Sequence, residues 1–296
     1  MKTRRIAIQA VLLIAMALPL AGISSLDALF APKAELWERW SVHDPRSEAT
    51  IDHSAWDRLL ARYVTTDADG LNRFDYKGIT EDDRAALKGY VSRLALVRIG
   101  AYARPEQLAY WINLYNALTV DVVLDHYPVA SIRDIDISPG YFSDGPWGKT
   151  LVAVEGEALT LNDIEHRILR PIWRDARIHY AVNCASVGCP NIAKKAYAAA
   201  SMEQMLEAAA RAYVNNPRGV RVGREGLVVS SIYAWFQGDF GGDDASVIGH
   251  LMRYAEAPLK KALEGRTSID GHAYDWSLNG ARRAGPEPHR DATQGL

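Results

Sequence analysis

The stretch Arg177 to Ile192, RIHYAVNCASVGCPNI, holds both cysteines of the 296-residue chain, Cys184 and Cys189, and a histidine, His179. A thiol with an imidazole is the minimal equipment for nucleophilic catalysis: the thiolate attacks, and the imidazole takes and returns the proton. Ile178, Tyr180 and Val182 alternate with His179, Ala181 and Asn183, which predicts a short buried strand with apolar residues on both faces. The strand runs into the small-residue turn Ala185-Ser186-Val187-Gly188 and stops at Pro190. On a regular strand, positions 179 and 184 point to opposite faces, so the two groups meet only if the chain bends near Asn183.

The same cysteines have a bland reading. Four residues separate them, with Gly188 between and Pro190 just after, so a tight Cys184–Cys189 disulfide is feasible. A loop this short stabilises by roughly 2 kcal/mol or less. Glu165 and His166 lie upstream on what reads as a capped, solvated helix face. The sharper reading makes Glu165 a hydrogen-bond partner of His179. A zinc set drawn from Glu165, His166, His179 and a cysteine is disfavoured, because adjacent helical residues diverge by about 100°. Asp239, Asp243 and Asp244 fall in a Gly-rich loop whose spacing fits no calcium loop, so a solvated turn is expected there.

The elements that must position these groups are mostly helices. The clearest spans Pro105 to His126: Leu108, Trp111, Ile112, Tyr115, Leu118, Thr119 and Val122 recur at helical spacing, and Leu114, Val120 and Val123 fill the remaining face. A helix apolar almost all round is central and buried. Asn113 and Asn116 sit within it, one turn apart, and a buried amide without partners costs about 1–3 kcal/mol. They are satisfied either by backbone or by a site. Further helices are predicted over 54–63 with Ser54 as cap, 81–99, 160–169 with Thr160 and Asp163 capping, and 201–214. Hairpins are predicted at Glu155-Gly156 and across 223–226, and a docking segment around Asp275-Trp276. Long helices beside short strands, with no alternating βαβ pattern and no phosphate-binding glycine loop, give an α+β fold with a small antiparallel sheet.

The N-terminus has the form of a targeting segment. Lys2, Arg4 and Arg5 precede the uncharged run Ile6 to Ala21, with small residues Ala21, Gly22 and Ser24 behind it. We therefore expect a signal peptide over 1–24, a globular domain over 34–280 and an unstructured tail over 281–296. The mature protein would be periplasmic or secreted, without stable membrane insertion after cleavage. Loss of Lys2, Arg4 and Arg5 takes the net charge from −2 to −5. Without a basic excess or basic run in the body of the chain, a nucleic-acid partner is excluded as an expectation. No cofactor is expected.

Several ordered motifs carry a resemblance. Tyr110-Trp111-Ile112-Asn113-Leu114-Tyr115-Asn116-Ala117-Leu118, Leu161-Asn162-Asp163-Ile164-Glu165-His166, His179-Tyr180-Ala181-Val182-Asn183-Cys184-Ala185-Ser186, Cys189-Pro190 and Tyr274-Asp275-Trp276-Ser277-Leu278-Asn279 are similar to the domain of unknown function 547, from about Trp56 to Asn279. The resemblance implies a core related to papain-like and transglutaminase-like thiol enzymes. In those enzymes the cysteine starts the central helix, whereas the central helix here carries none. Three readings follow. One is a cysteine/histidine hydrolase or acyl (amide) transferase with Cys184 as nucleophile, His179 as base, and Asn113, Asn116 or Glu165 orienting. Another is a non-catalytic module that binds a peptide or small molecule and keeps Cys184 and Cys189 bridged. The weakest is a metal-dependent hydrolase.

Overall fold

The computed structural model describes residues 31–140 and 144–281. The expected signal segment, and all of the expected tail but Ala281, lie outside the described residues. Ser54–Tyr63 (α1) is the helix that its spacing implies, with Trp56, Leu59, Leu60 and Tyr63 on the buried side. Its start is set by Asp52, whose carboxylate accepts the Ser54 N–H at 2.8 Å, and not by a Ser54 cap. Val64–Thr66 (β1) pairs antiparallel with Asn72–Phe74 (β2). Glu81–Ala95 (α2) is capped by the Thr80 hydroxyl, which accepts the Asp83 N–H. It stops short of the expected residue 99, because the chain turns into a 3-10 helix at Ile99–Ala101.

Arg104–His126 (α3) is the central helix. Pro105 sits in its first turn, and buried side chains run round its circumference from Glu106 to Leu124. Val152–Val154 (β3) and Glu157–Leu159 (β4) form the expected hairpin, with Glu155 (φ 47°) and Gly156 (φ 84°) both left-handed in the turn. The next helix, over 161–173 (α4), starts at a reciprocal cap: the Asp163 carboxylate accepts the Thr160 N–H at 3.0 Å, and the Thr160 hydroxyl accepts the Asp163 N–H at 3.0 Å. Its middle, Asp163–Leu169, is π-helical before Arg170–Trp173 returns to α.

The predicted cysteine strand is a helical turn, Ile178–Ala181 (α5), with the Val182 N–H bonded to the Ile178 carbonyl at 3.1 Å. The physical reason lies in the packing. Ile178 and Ala181 join the apolar core around α3, while Tyr180 enters a second core. A helical turn wedged between two cores is apolar on opposite sides, as a buried strand is, and alternation over five residues does not separate the two.

Met202–Val214 (α6), Ser231–Trp235 (α7), Asp244–Tyr254 (α8) and Ala257–Leu263 (α9) enclose that second core together with the hairpin Val220–Gly223 (β5) and Gly226–Ser230 (β6). Gly271–Ala273 (β7) runs parallel to β6. The architecture is α+β. It differs from the expectation in having, among the described residues, three small sheets, one of them mixed, and α3 packs mainly against α2 and α4. Strands of three to five residues are too short to cover a helix of 23. None of the described helices is long and apolar enough to cross a membrane.

Candidate functional site

The cysteine loop begins where α5 ends, and its shape is imposed by amides. Asn116 of α3 donates to the Ala181 carbonyl at 2.9 Å and accepts the Asn183 N–H at 2.8 Å. One buried side chain thus terminates α5 and turns the chain outward. The Asn183 side chain accepts the Ala185 N–H at 3.0 Å and donates to the Pro190 carbonyl, closing the base of the loop. Ala185 is left-handed (φ 59°), a conformation costing a non-glycine residue about 1–3 kcal/mol. Asn113 clamps Tyr197 in the same way, accepting its N–H and donating to its carbonyl. Both helical asparagines therefore spend their amides on backbone, and neither lines the cavity described below.

The far side of the loop is held by the C-terminal segment. The Gly188 and Val187 N–H groups donate to the Asp275 and Ser277 carbonyls at 2.7 Å, and the Asn279 N–H donates to the Ala185 carbonyl at 2.9 Å. The approach is so close that a Cβ on Gly188 would stand 2.8 Å from the Asp275 nitrogen. This docking, expected around Asp275-Trp276, delivers a group not foreseen in the sequence. The Tyr274 hydroxyl lies 3.0 Å from Cys184 Sγ and 2.9 Å from Ser186 Oγ, while Ser186 Oγ is itself 3.3 Å from the sulfur.

Cys184 and Cys189 are free thiols in this structure, Cys184 half-buried and Cys189 buried. The bridge considered above is not formed. Instead the Cys184 N–H donates to Cys189 Sγ at 2.9 Å. Burial pushes the Cys184 thiol up, but hydrogen bonds from Cys189, Ser186 and Tyr274 outweigh it and bring the thiol below its usual range. Burial, with the neighbouring Cys184, drives Cys189 the other way, well above that range. Burial also keeps the Tyr274 phenol protonated, so it can donate to the sulfur.

His179 is buried, its ring stacked on Phe236 at 4.5 Å and 11°. Its Nε2 lies 2.7 Å from Asp239 Oδ2. A carboxylate only accepts, so Nε2 carries the hydrogen and Nδ1 is left as the basic nitrogen. That Nδ1 stands 3.7 Å from Glu165 Oε1, too far for the direct hydrogen bond expected between the two. Asp239 comes from the loop read as a solvated turn. Its carboxylate also accepts from Arg170 Nε at 2.6 Å; burial opposes ionisation, and the His179 and Arg170 contacts prevail, holding it well below the usual range. Arg170 further donates to His166 Nδ1 at 2.9 Å. Burial lowers His166 to about 4 and leaves it neutral. The π-helical stretch of α4 thus carries Glu165 and His166, both buried, one turn before Arg170.

These groups share a cavity of about 490 Å³. Cys184, Cys189, His179, Glu165, His166 and Tyr115 line it together with the aromatic rings of Trp147, Trp235, Phe236, Tyr274 and Trp276. Cys184 and His179 face this common space without a hydrogen bond between them. Among the described residues, no group of three or more His, Cys, Asp or Glu side chains is arranged to hold a metal ion. Asp239 and Tyr274 had no local signal: each lies more than fifty positions from the group it contacts.

No curated protein and no solved structure matches the chain. Residues 99–214, which carry Glu165, His179, Cys184 and Cys189 but neither Asp239 nor Tyr274, match the family model described as "Protein of unknown function, DUF547", the family that the chain resembles.

Proposed function

We propose that the protein is a thiol enzyme of acyl transfer or amide hydrolysis, with Cys184 as nucleophile and His179, oriented by Asp239, as base. The observation that carries this reading is the shared cavity: a half-buried thiol, hydrogen-bonded to Tyr274 and Ser186, opens into the space lined by a histidine whose far nitrogen is tied to a carboxylate. In the reaction the Cys184 sulfur bonds to the acyl carbon. Its proton passes to His179 Nδ1 and then to the departing amine, and water or a second amine releases the acyl group. The Cys184–His179 contact would tighten with substrate bound. Glu165, 3.7 Å from Nδ1, would stabilise the imidazolium. Asn113 and Asn116 act in this scheme as scaffold. A papain- or transglutaminase-like core would be rearranged here, with its thiol on the loop after α5 and not at the start of α3. We also place the mature protein in the periplasm or outside the cell.

The test is the rate of iodoacetamide alkylation against pH, mapped by peptide mass. Fast modification of Cys184 below pH 7, abolished in Cys184→Ala, is the expected result. Alkylation of both thiols only at the rate and pH of an ordinary cysteine would sink the proposal. Peptide amides and anilides would follow as substrates.

A second reading, a non-catalytic module for a peptide or small molecule, is favoured by the aromatic wall of Trp147, Trp235 and Trp276 and by the absence of a direct Cys184–His179 hydrogen bond. It requires that a ligand raise the melting temperature of the Cys184→Ala/Cys189→Ala variant as much as that of the wild type.

A further inference from the structure

Amide chemistry needs one thiol, and the cavity holds two. They differ as the two members of an exchanging dithiol must. Both line the cavity, Cys184 half-buried and Cys189 buried, with the Cys189 sulfur 2.9 Å from the Cys184 N–H. The intervening loop is already bent, with Ala185 left-handed and Gly188 pressed against Asp275, so joining the sulfurs requires no new fold of the chain. Arg218 braces the same loop: its guanidinium packs over Tyr213 at 5.4 Å and donates to the Val187 carbonyl and to Asn191. Its buried Nε has no hydrogen-bond partner, and its charge lies within electrostatic reach of Cys189.

We propose that Cys184 and Cys189 are the attacking and resolving thiols of a thiol–disulfide exchange site whose substrate is a disulfide small enough to enter the aromatic cavity. The Cys184 thiolate attacks one sulfur of the substrate, forming a mixed disulfide and expelling the other half as a thiolate. Cys189 then gives its proton, through solvent water, to the thiolate already released, attacks Cys184 Sγ and expels the second half as a thiolate. The substrate disulfide is reduced by two electrons, and the protein is left with the Cys184–Cys189 bridge. The inference rests on Cys184 being the nucleophile of the previous subsection and adds Cys189 as its partner.

The probe is glutathione disulfide, added to reduced protein at pH 7, followed by acid quench, alkylation and intact mass. Wild type should lose two hydrogens and show the Cys184–Cys189 bridge with little retained glutathione. Cys189→Ser should accumulate the Cys184–glutathione adduct to at least about tenfold the wild-type level. Cys184→Ala should remain unmodified. The wild-type arm decides without the variants: a persistent glutathione adduct on Cys184, with no bridge, overturns the inference. Fast iodoacetamide modification of Cys184 together with that result overturns the exchange proposal alone, whereas an inert Cys184 in both assays overturns the nucleophile reading with it.

Discussion

Asp239 decides what His179 is. Without a carboxylate at Nε2, a buried imidazole stacked on Phe236 would be a packing residue of no fixed tautomer; with it, Nδ1 becomes the basic nitrogen. The same carboxylate also neutralises Arg170, which is almost fully buried. Asp239→Asn is therefore expected to lower stability as well as activity, by about 3 kcal/mol, because it leaves a buried guanidinium without its counter-charge. The urea midpoint measures this, and a change under 0.5 kcal/mol would show that Arg170 has another counter-charge. Tyr274 acts on the thiol in a comparable way. Tyr274→Phe removes a hydroxyl 3.0 Å from Cys184 Sγ and should raise the thiol, so the alkylation-rate profile moves to higher pH with the fold intact by circular dichroism. An unmoved profile would show that Ser186 and Cys189 suffice.

At the scale of elements, the site is a junction of backbone segments tied by side-chain amides. Asn116 satisfies one carbonyl and one N–H that the end of α5 would otherwise bury unpaired. Asn116→Ala is expected to cost about 2 kcal/mol or more and to loosen the Cys184 loop, seen as faster amide exchange at Asn183 and Ala185. A variant of unchanged stability would show that water replaces the amide. Gly188→Ala tests the other clamp. Its Cβ would meet the Asp275 backbone at 2.8 Å, where no flexible side chain can give way. We expect the segment from Tyr274 to Asn279 to detach, exposing it to proteolysis and slowing Cys184 alkylation. The π-helical stretch of α4 belongs to the same logic, since it carries both Glu165 and His166 into the cavity lining.

For the molecule as a whole, two apolar cores meet at α5, so the stability of both cores bears on His179 and on the loop after it. Buried histidines tie that stability to pH. His53, His166 and His250 are each lowered to about 4, with burial the main cause. In the unfolded chain they titrate near the ordinary value of about 6.5. Between these limits the unfolded state binds protons that the folded state refuses, so stability is full above about pH 6.5 and is lost as pH falls toward 4. His166, the most deeply buried, contributes on the order of 3 kcal/mol to this loss. Thermal melts from pH 8 to pH 4 should show a steep fall, reduced in His166→Gln. A flat profile across that window would show that the histidines are hydrated in the folded protein.

Local pattern alone determined much of the architecture. The all-round apolar run of α3, the turn at Glu155-Gly156, the Thr160–Asp163 cap and the helix of Met202–Val214 all follow from interactions within a few residues, which a sequence carries in full. The candidate thiol and imidazole were legible for the same reason, by residue type and proximity. Tertiary structure alone decided that Ile178–Ala181 is a helical turn, because two cores and not one shape it. It also decided that Asn113 and Asn116 serve the backbone, that Asp239 and not Glu165 holds His179, and that Tyr274 reaches Cys184. These contacts join residues from 60 to 90 positions apart, and no periodicity or spacing rule extends across that length; only the packing that brings the segments together creates them.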